Sequence, residues 1–179
     1  MVESSQVDKK NVIVLGIPIA YFLVMTLLSI YAWIKYGVVK PMDLFVYVLF
    51  LAVLAERAAG KYVYEIDDVN FKITKKSLFM NTKIFTVPFT DILGVYRYKA
   101  KLVGLLKFRH TNRLHSALDA RTVWTMAYIE SGKKGKQENS RNYIKPSDAL
   151  LAFLETKMTG RVKVTEEEIA VRQFTAEND

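Results

Sequence analysis

Cysteine is absent from the 179 residues, which excludes disulfide staples and thiolate metal sites. Histidine is nearly absent too. The only two, His110 and His115, stand five positions apart, and no carboxylate follows them before Asp119. Neither a helix nor a strand places an i, i+5 pair on a common face, so the pair does not read as a metal site. No serine stands in a nucleophile-elbow sequence. The run Gly132-Lys133-Lys134-Gly135-Lys136 lacks the spacing of a phosphate loop and reads as a solvated hairpin connection. Asp67-Asp68 reads as turn chemistry rather than a pair of catalytic acids. No enzymatic activity is expected, and no cofactor or metal.

Charge is missing from one stretch and acid is scarce in another. Residues 11–34 carry no formal charge, while residues 57–145 hold 18 Lys/Arg against 7 Asp/Glu, a net of +11 where the whole chain is +8. Such segregation points to a polyanionic neighbour, either acidic lipid or nucleic acid.

Residues 12–34, VIVLGIPIAYFLVMTLLSIYAWI, would span roughly 34 Å as a helix, enough for a hydrocarbon core of about 30 Å. Lys9 and Lys10 precede the run, Lys35 follows it, and Tyr31, Trp33 and Tyr36 cluster at its far end, where amphipathic rings favour the interface. The run is longer than the apolar region of a signal peptide and ends without a small-residue cleavage site. A second uncharged run, residues 44–55, is too short alone. Extended to residues 38–59 it reaches spanning length, with Lys40, Asp43, Glu56 and Arg57 near its ends, where charges reach the headgroups; a re-entrant or interfacial helix is the other reading. Gly37 and Pro41 supply the turn between the two helices. Two spans put both termini on the side that carries Lys9, Lys10, Arg57, Lys61 and the basic domain, against Lys35 and Lys40 in the short loop. The excess predicts a multi-pass protein of the cell inner membrane with both termini cytoplasmic.

From Lys61 the pattern alternates. Tyr62, Tyr64 and Ile66 share one strand face, then Val69, Phe71 and Ile73 share another. Residues 83–87, 92–99, 122–130 and 141–145 read as further strands, with Trp124, Met126 and Tyr128 on one face. The period then changes. Ser147 is a natural N-cap, Leu150, Leu151, Leu154 and Met158 form one helical stripe, Lys157 suits the last turn and Gly160 the C-terminal cap. A helix with one apolar stripe after a sheet needs something to cover, such as the open end of a small barrel. Residues 159–179 form a polar tail, read either as a short helix capped by Thr165 and ending near Gln173 or as a disordered terminus.

The stretch YVYEIDDVNFKITKKSLFMNTKIFTVPFTDILGVYRYK, the step Pro88-Phe89-Thr90-Asp91-Ile92 and the ending Tyr143-Ile144-Lys145-Pro146-Ser147-Asp148 plus helix resemble the bacterial pleckstrin-homology-like (PH-like) domains found beside membrane helices. The resemblance covers about residues 60–158. It implies a seven-stranded PH-like antiparallel barrel or sandwich capped by a C-terminal helix, here following a transmembrane hairpin. The expected organisation is therefore a membrane-anchored α+β protein: a tail at 1–11, a helical hairpin at 12–59, a PH-like domain at 60–158 and a polar tail at 159–179.

Candidate site residues are cations. Residues 94–116 contain Arg97, Lys99, Lys101, Lys107, Arg109 and Arg113, with no acid. If residues 93–101 are a strand, Arg97, Lys99 and Lys101 share one face and Tyr96 and Tyr98 the other. Such a face suits phosphates, and equally an edge strand protected from aggregation by charge. A second, weaker cluster is Lys72, Lys75, Lys76 and Lys83. Eukaryotic relatives of the resembled family bind phosphoinositides near there through Lys and Arg. No Arg stands between Lys61 and Arg97, which speaks against a specific inositol-phosphate site and leaves weak attraction to anionic headgroups. The expected function is a non-enzymatic, membrane-tethered binding or scaffold module, engaging anionic lipid headgroups, a membrane-protein partner or a second copy of itself. The alternatives are an accessory subunit of a larger membrane complex and, with less support, nucleic-acid binding with Tyr96, Tyr98 and Phe108 as stacking platforms.

Overall fold

The computed structural model describes residues 1–38, 40–79, 81–99, 106–131 and 137–178. It is an α+β fold in which two apolar helices lead into two four-stranded sheets.

Helix α1 (Lys9–Tyr36) starts three residues before the uncharged run, because Asp8 caps it: the carboxylate accepts from the Lys10 and Asn11 amides at 2.9 and 3.2 Å. It ends at Gly37, whose φ of 64° is the left-handed conformation that glycine adopts without strain. Pro41 then opens α2 (Pro41–Ala59), where its missing N–H costs nothing. The turn residues thus act as the sequence predicts. The two helices pack against each other, with Phe22 stacked on Phe50 at 5.1 Å between ring centres. Neither helix has a buried residue, so Ile13, Val14, Ile17, Leu27, Leu28 and Ile34 are exposed. A fold in water does not leave so broad an apolar surface uncovered. Among the described residues α1 is the one helix long and apolar enough to cross a membrane, with a mean hydropathy of 2.4. The shorter α2 carries Asp43, Glu56 and Arg57 near its ends.

The first sheet runs β1-β2-β3-β4 and is antiparallel throughout: β1 (Val2–Ser4), β2 (Lys61–Ile66), β3 (Asn70–Lys76) and β4 (Lys83–Pro88). The second runs β5-β7-β8-β6, with β5 (Ile92–Arg97), β7 (Trp124–Ser131), β8 (Gln137–Ile144) and β6 (His110–Arg113). Strand β6 pairs parallel to β8, which makes this sheet mixed where an antiparallel one was expected. Strand β7 runs against both β5 and β8, and β6 runs with β8, so β5, β8 and β6 share one direction and β7 opposes them. Among the described residues eight strands form, against the seven that the resemblance implies, because residues 1–11, read as a tail, contribute β1.

The alternating residues land as predicted. Tyr62, Tyr64, Ile66, Phe71, Ile73, Met126 and Tyr128 are all buried. Trp124, expected on the same face as Met126 and Tyr128, is only partly buried against that core, and Val69 is exposed because it precedes the first paired residue of β3. Helix α3 (Asp148–Lys157) is capped by Ser147, whose hydroxyl accepts from the Leu150 amide at 3.1 Å. Its Leu150, Leu151 and Leu154, with Met158, join the core formed by both sheets. The C-terminal residues do not trail away. Val162 bridges to Val95, and α4 (Glu166–Asn178) lays Ile169 over Leu93, Tyr96 and Ala127. Gly94 permits this close approach. A Cβ there would stand 2.9 Å from the Val164 side chain and 3.2 Å from the Arg161 carbonyl oxygen.

Candidate functional site

The two ends of the helix pair meet in one sheet. Strand β1 precedes α1 and β2 follows α2, and they are hydrogen-bonded neighbours, with Ser4 opposite Val63. Whatever α1 and α2 enter, they leave the domain from one place and return to it.

The segment that leads into α1 is fastened by a partly buried ionic network. Asp119, fully buried, accepts from the Gln6 amide at 3.1 Å and from the Arg121 side chain, whose Nη2 lies 2.6 Å away. Arg121 also pairs with Glu3. Glu3 in turn accepts from the Ser147 amide at 3.0 Å and from its hydroxyl. Lys145 donates to the Asp119 carbonyl oxygen. Two cations thus face two carboxylates, so the cluster is neutral as a whole. Burial still pushes the Arg121 and Lys145 pKa values below their ordinary range. The Asp8 amide donates to the Leu118 carbonyl at 2.9 Å, which seats the first turn of α1 on the β6–β7 connection. The buried Tyr64 hydroxyl ties that connection to β2, donating to the Leu114 carbonyl at 2.8 Å.

On the α2 side lies a cleft of about 260 Å³ lined by Glu56, Arg57, Tyr62, Lys75, Arg113 and His115. Four cations of the predicted clusters end near this base. Lys75 and Lys76 close β3, Lys83 opens β4 opposite Lys75, and Arg113 closes β6. Lys9, Lys10, Arg57 and Lys61 join them at the helix ends. Among the described residues no carboxylate pairs with Arg57 or Arg113, whereas Lys75 lies 3.9 Å from Glu56. Sequence reasoning found these cations but placed them in two unrelated clusters, since only the β2–β3–β4 register and the return of β6 bring them together.

The remaining candidates lie elsewhere. Strand β5 stops at Arg97 rather than continuing to residue 101, because its partner β7 begins at Trp124, opposite Arg97. Of the three cations expected on one strand face, β5 therefore carries Arg97 alone among the described residues. Lys99 follows the strand, and Lys101 lies outside the described residues. Arg97 and Lys99 line a hollow with Glu166 and Glu167 of α4. Arg113 is on the opposite edge of the same sheet from Arg97, three strand spacings of about 4.8 Å away. Lys107 is exposed, and Arg109 pairs with Glu138. Lys72 points to Asp67 at 3.2 Å, near the end of β3 away from the helices. Tyr96 is buried, which takes it away from base stacking, whereas Tyr98 meets Tyr143 edge-on at 4.9 Å and stays 41% exposed. No group of three or more potential metal-ligating side chains occurs among the described residues.

Burial holds the His115 imidazole below its ordinary value. Lys145 and Arg113 push in the same direction, while the Ser116 carbonyl at 3.3 Å and Asp119 oppose them. For a base whose pKa is lower folded than unfolded, the unfolded chain binds more protons between the two values. Stability is therefore greatest above about pH 6.5 and falls as pH drops from there through the folded value. Unfolding followed from about pH 7 to about pH 5 should show this loss, and His115→Gln should flatten it. An unchanged slope in that variant would assign the dependence to other groups.

No family model, curated protein or solved structure matches the chain.

Proposed function

We propose that the chain is a multi-pass protein of the cytoplasmic membrane, with α1 and α2 spanning as a hairpin. On this reading the domain is a PH-like binding or scaffold module on the cytoplasmic face. It catalyses nothing. It holds a basic surface against anionic headgroups and presents the rest of itself to a membrane-protein partner or a second copy.

One observation carries the reading: a pair of antiparallel apolar helices with no buried residue departs from one point of a folded domain and returns to it. Strand β1 argues for an anchor over a cleaved leader, since cutting after α1 would strip β1 and the Glu3 contacts from the first sheet. At about 1.5 Å per residue the 19 residues of α2 reach about 28 Å. That is close to the hydrocarbon thickness, and Asp43, Glu56 and Arg57 lie near the ends, where charge reaches the headgroups. The cations at the base suit the anionic cytoplasmic leaflet, where each contributes about 1 kcal/mol. Fastening at both ends gives the module a fixed pose. Binding to lipids or membrane proteins within its reach then gains from effective concentration.

The topology has a direct test, because the chain contains no cysteine. Single cysteines at Val2 and Val69, both exposed, should react with a membrane-impermeant reagent only after the cells are opened. A cysteine at Val38, between the helices, should react in intact cells. Labelling of Val2 or Val69 from outside, or protection of Val38, would refute the hairpin.

A further inference from the structure

We propose that the β3–β4 loop is a second, shallow membrane contact: a wedge whose Leu78 and Phe79 enter the headgroup region of the leaflet crossed by α2, with Lys75, Lys76 and Lys83 on anionic headgroups around it. The proposal rests on the hairpin reading above.

Three independent observations converge on the loop. First, it is apolar and uncovered. Leu78 is 55% exposed, Phe79 64% and, just across the loop, Ile84 66%. Leu78 and Phe79 are adjacent in the loop and Ile84 is the second residue of β4, whereas Val69 stands singly in the sequence of the domain. An exposed apolar tip of this kind marks an interaction surface. Second, it is pinned to the membrane helix. The Leu78 and Phe79 amides both donate to one carboxylate oxygen of Glu56, at 2.9 and 3.2 Å, and Lys75 lies 3.9 Å from the other oxygen. Glu56 sits in the last turn of α2, whose closing hydrogen bond runs from the Gly60 amide to the Glu56 carbonyl. The loop is therefore held at the level where α2 leaves the bilayer. Third, the rim is basic. Lys75 and Lys76 end one strand and Lys83 begins the next, with the apolar tip between them.

The chemistry selects one partner. An aromatic ring beside an aliphatic residue suits the interfacial zone, where Phe and Leu bury while flanking lysines keep their ammonium groups among phosphates. A protein groove could take the apolar tip, but it would have to reach a loop fixed beside a helix that is itself in lipid. Glu56 is then a positioning residue. A carboxylate near the headgroups would be repelled by an anionic leaflet, and here two amides and a lysine engage it.

The test uses the full-length chain reconstituted in vesicles of phosphatidylcholine and phosphatidylglycerol. Single cysteines at Phe79, at Leu27 in the middle of α1, and at Val69 each carry an environment-sensitive fluorophore. Val69 lies at the other end of strands about 20 Å long, six residues at about 3.3 Å. The Leu27 label should be quenched best by nitroxides deep in the acyl chains. The Phe79 label should be shifted to the blue and quenched best by nitroxides near the headgroup. The Val69 label should behave as in water. In Glu56→Ala, quenching at Phe79 should fall toward the Val69 level while Leu27 keeps its own. If Leu27 is quenched and Phe79 matches Val69, the wedge is wrong and the hairpin stands. A blue shift at Phe79 without quenching from lipid means a protein contact and also overturns it. If Leu27 itself is aqueous, the hairpin fails and the wedge with it.

Discussion

Replacing Asp119 with alanine should destabilise the protein by about 3–5 kcal/mol, the cost of removing one partner from a buried ionic network. The carboxylate is fully buried, and Arg121 and Glu3 are only 15% and 14% exposed. Without it Arg121 and Lys145 keep only Glu3 as a counter-charge, and the Gln6 and Arg121 amides lose their acceptor. A lost buried acceptor costs its donors their desolvation as well as the bond. Chemical denaturation of the detergent-solubilised protein gives the magnitude. Hydrogen exchange locates it: the Ser5 and Gln6 amides, bonded to the Tyr62 carbonyl and to Asp119, should lose protection first. Asp119→Asn retains an acceptor and should cost less. Asp68→Ala provides the contrast. It also breaks an ion pair, with Lys157, but Asp68 is 91% exposed there, so the loss should stay within about 1 kcal/mol. A cost near that of Asp68→Ala would mean the network does not hold the segment before α1.

That network could not be read along the chain. The contacts join Glu3 to Arg121 and Ser147 across 118 and 144 positions, and Gln6 to Asp119 across 113. Periodicity reports on neighbours within a turn or a strand and carries no information at such separations. Strand β1 escaped for a related reason: three residues, Val-Glu-Ser, are too few to show an alternation. The parallel pairing of β6 was hidden as well, since His110–Arg113 has no apolar face of its own and is a strand only because β8 offers it an edge. What was legible had a local cause. Tyr62, Tyr64 and Ile66 alternate because one face is buried; Ser147 caps because the first amides of α3 need an acceptor; Gly37 and Pro41 mark the ends of two helices.

The candidate site was legible in part for the same reason. The cations could be counted, and the excess at the base of the helices followed from their number. Their grouping depended on register. The row expected at Arg97, Lys99 and Lys101 assumed that alternation continues as long as the sequence alternates. A strand lasts only as long as its partner, and β7 begins at Trp124. The cations that do gather, Lys75, Lys76, Lys83 and Arg113, come from three strands in two sheets.

Leu154→Ala should cost about 2–5 kcal/mol, the second large effect expected of a single substitution. Leu154 has no exposed surface and belongs to the core shared by Tyr64, Phe71 and Ile73 of the first sheet and Ile92, Met126 and Ile144 of the second. The cost has two parts: the lost transfer of the side chain out of water, and a cavity that the surroundings fill incompletely. Collapse around it should be limited, because α3 is fixed at its start by the Ser147 cap and beyond its end by Glu155, whose carboxylate accepts from the Gly160 amide at 2.8 Å. Leu154→Met, nearly equal in volume, should cost under about 1.5 kcal/mol. Thr156→Ala, on the exposed side of the same helix, should stay within about 0.5 kcal/mol. Denaturation midpoints at constant slope would rank the three. If Leu154→Ala matched Thr156→Ala, α3 would not be sealing the space between the sheets, and the cap on the domain would have to be sought in α4 and its Ile169 instead.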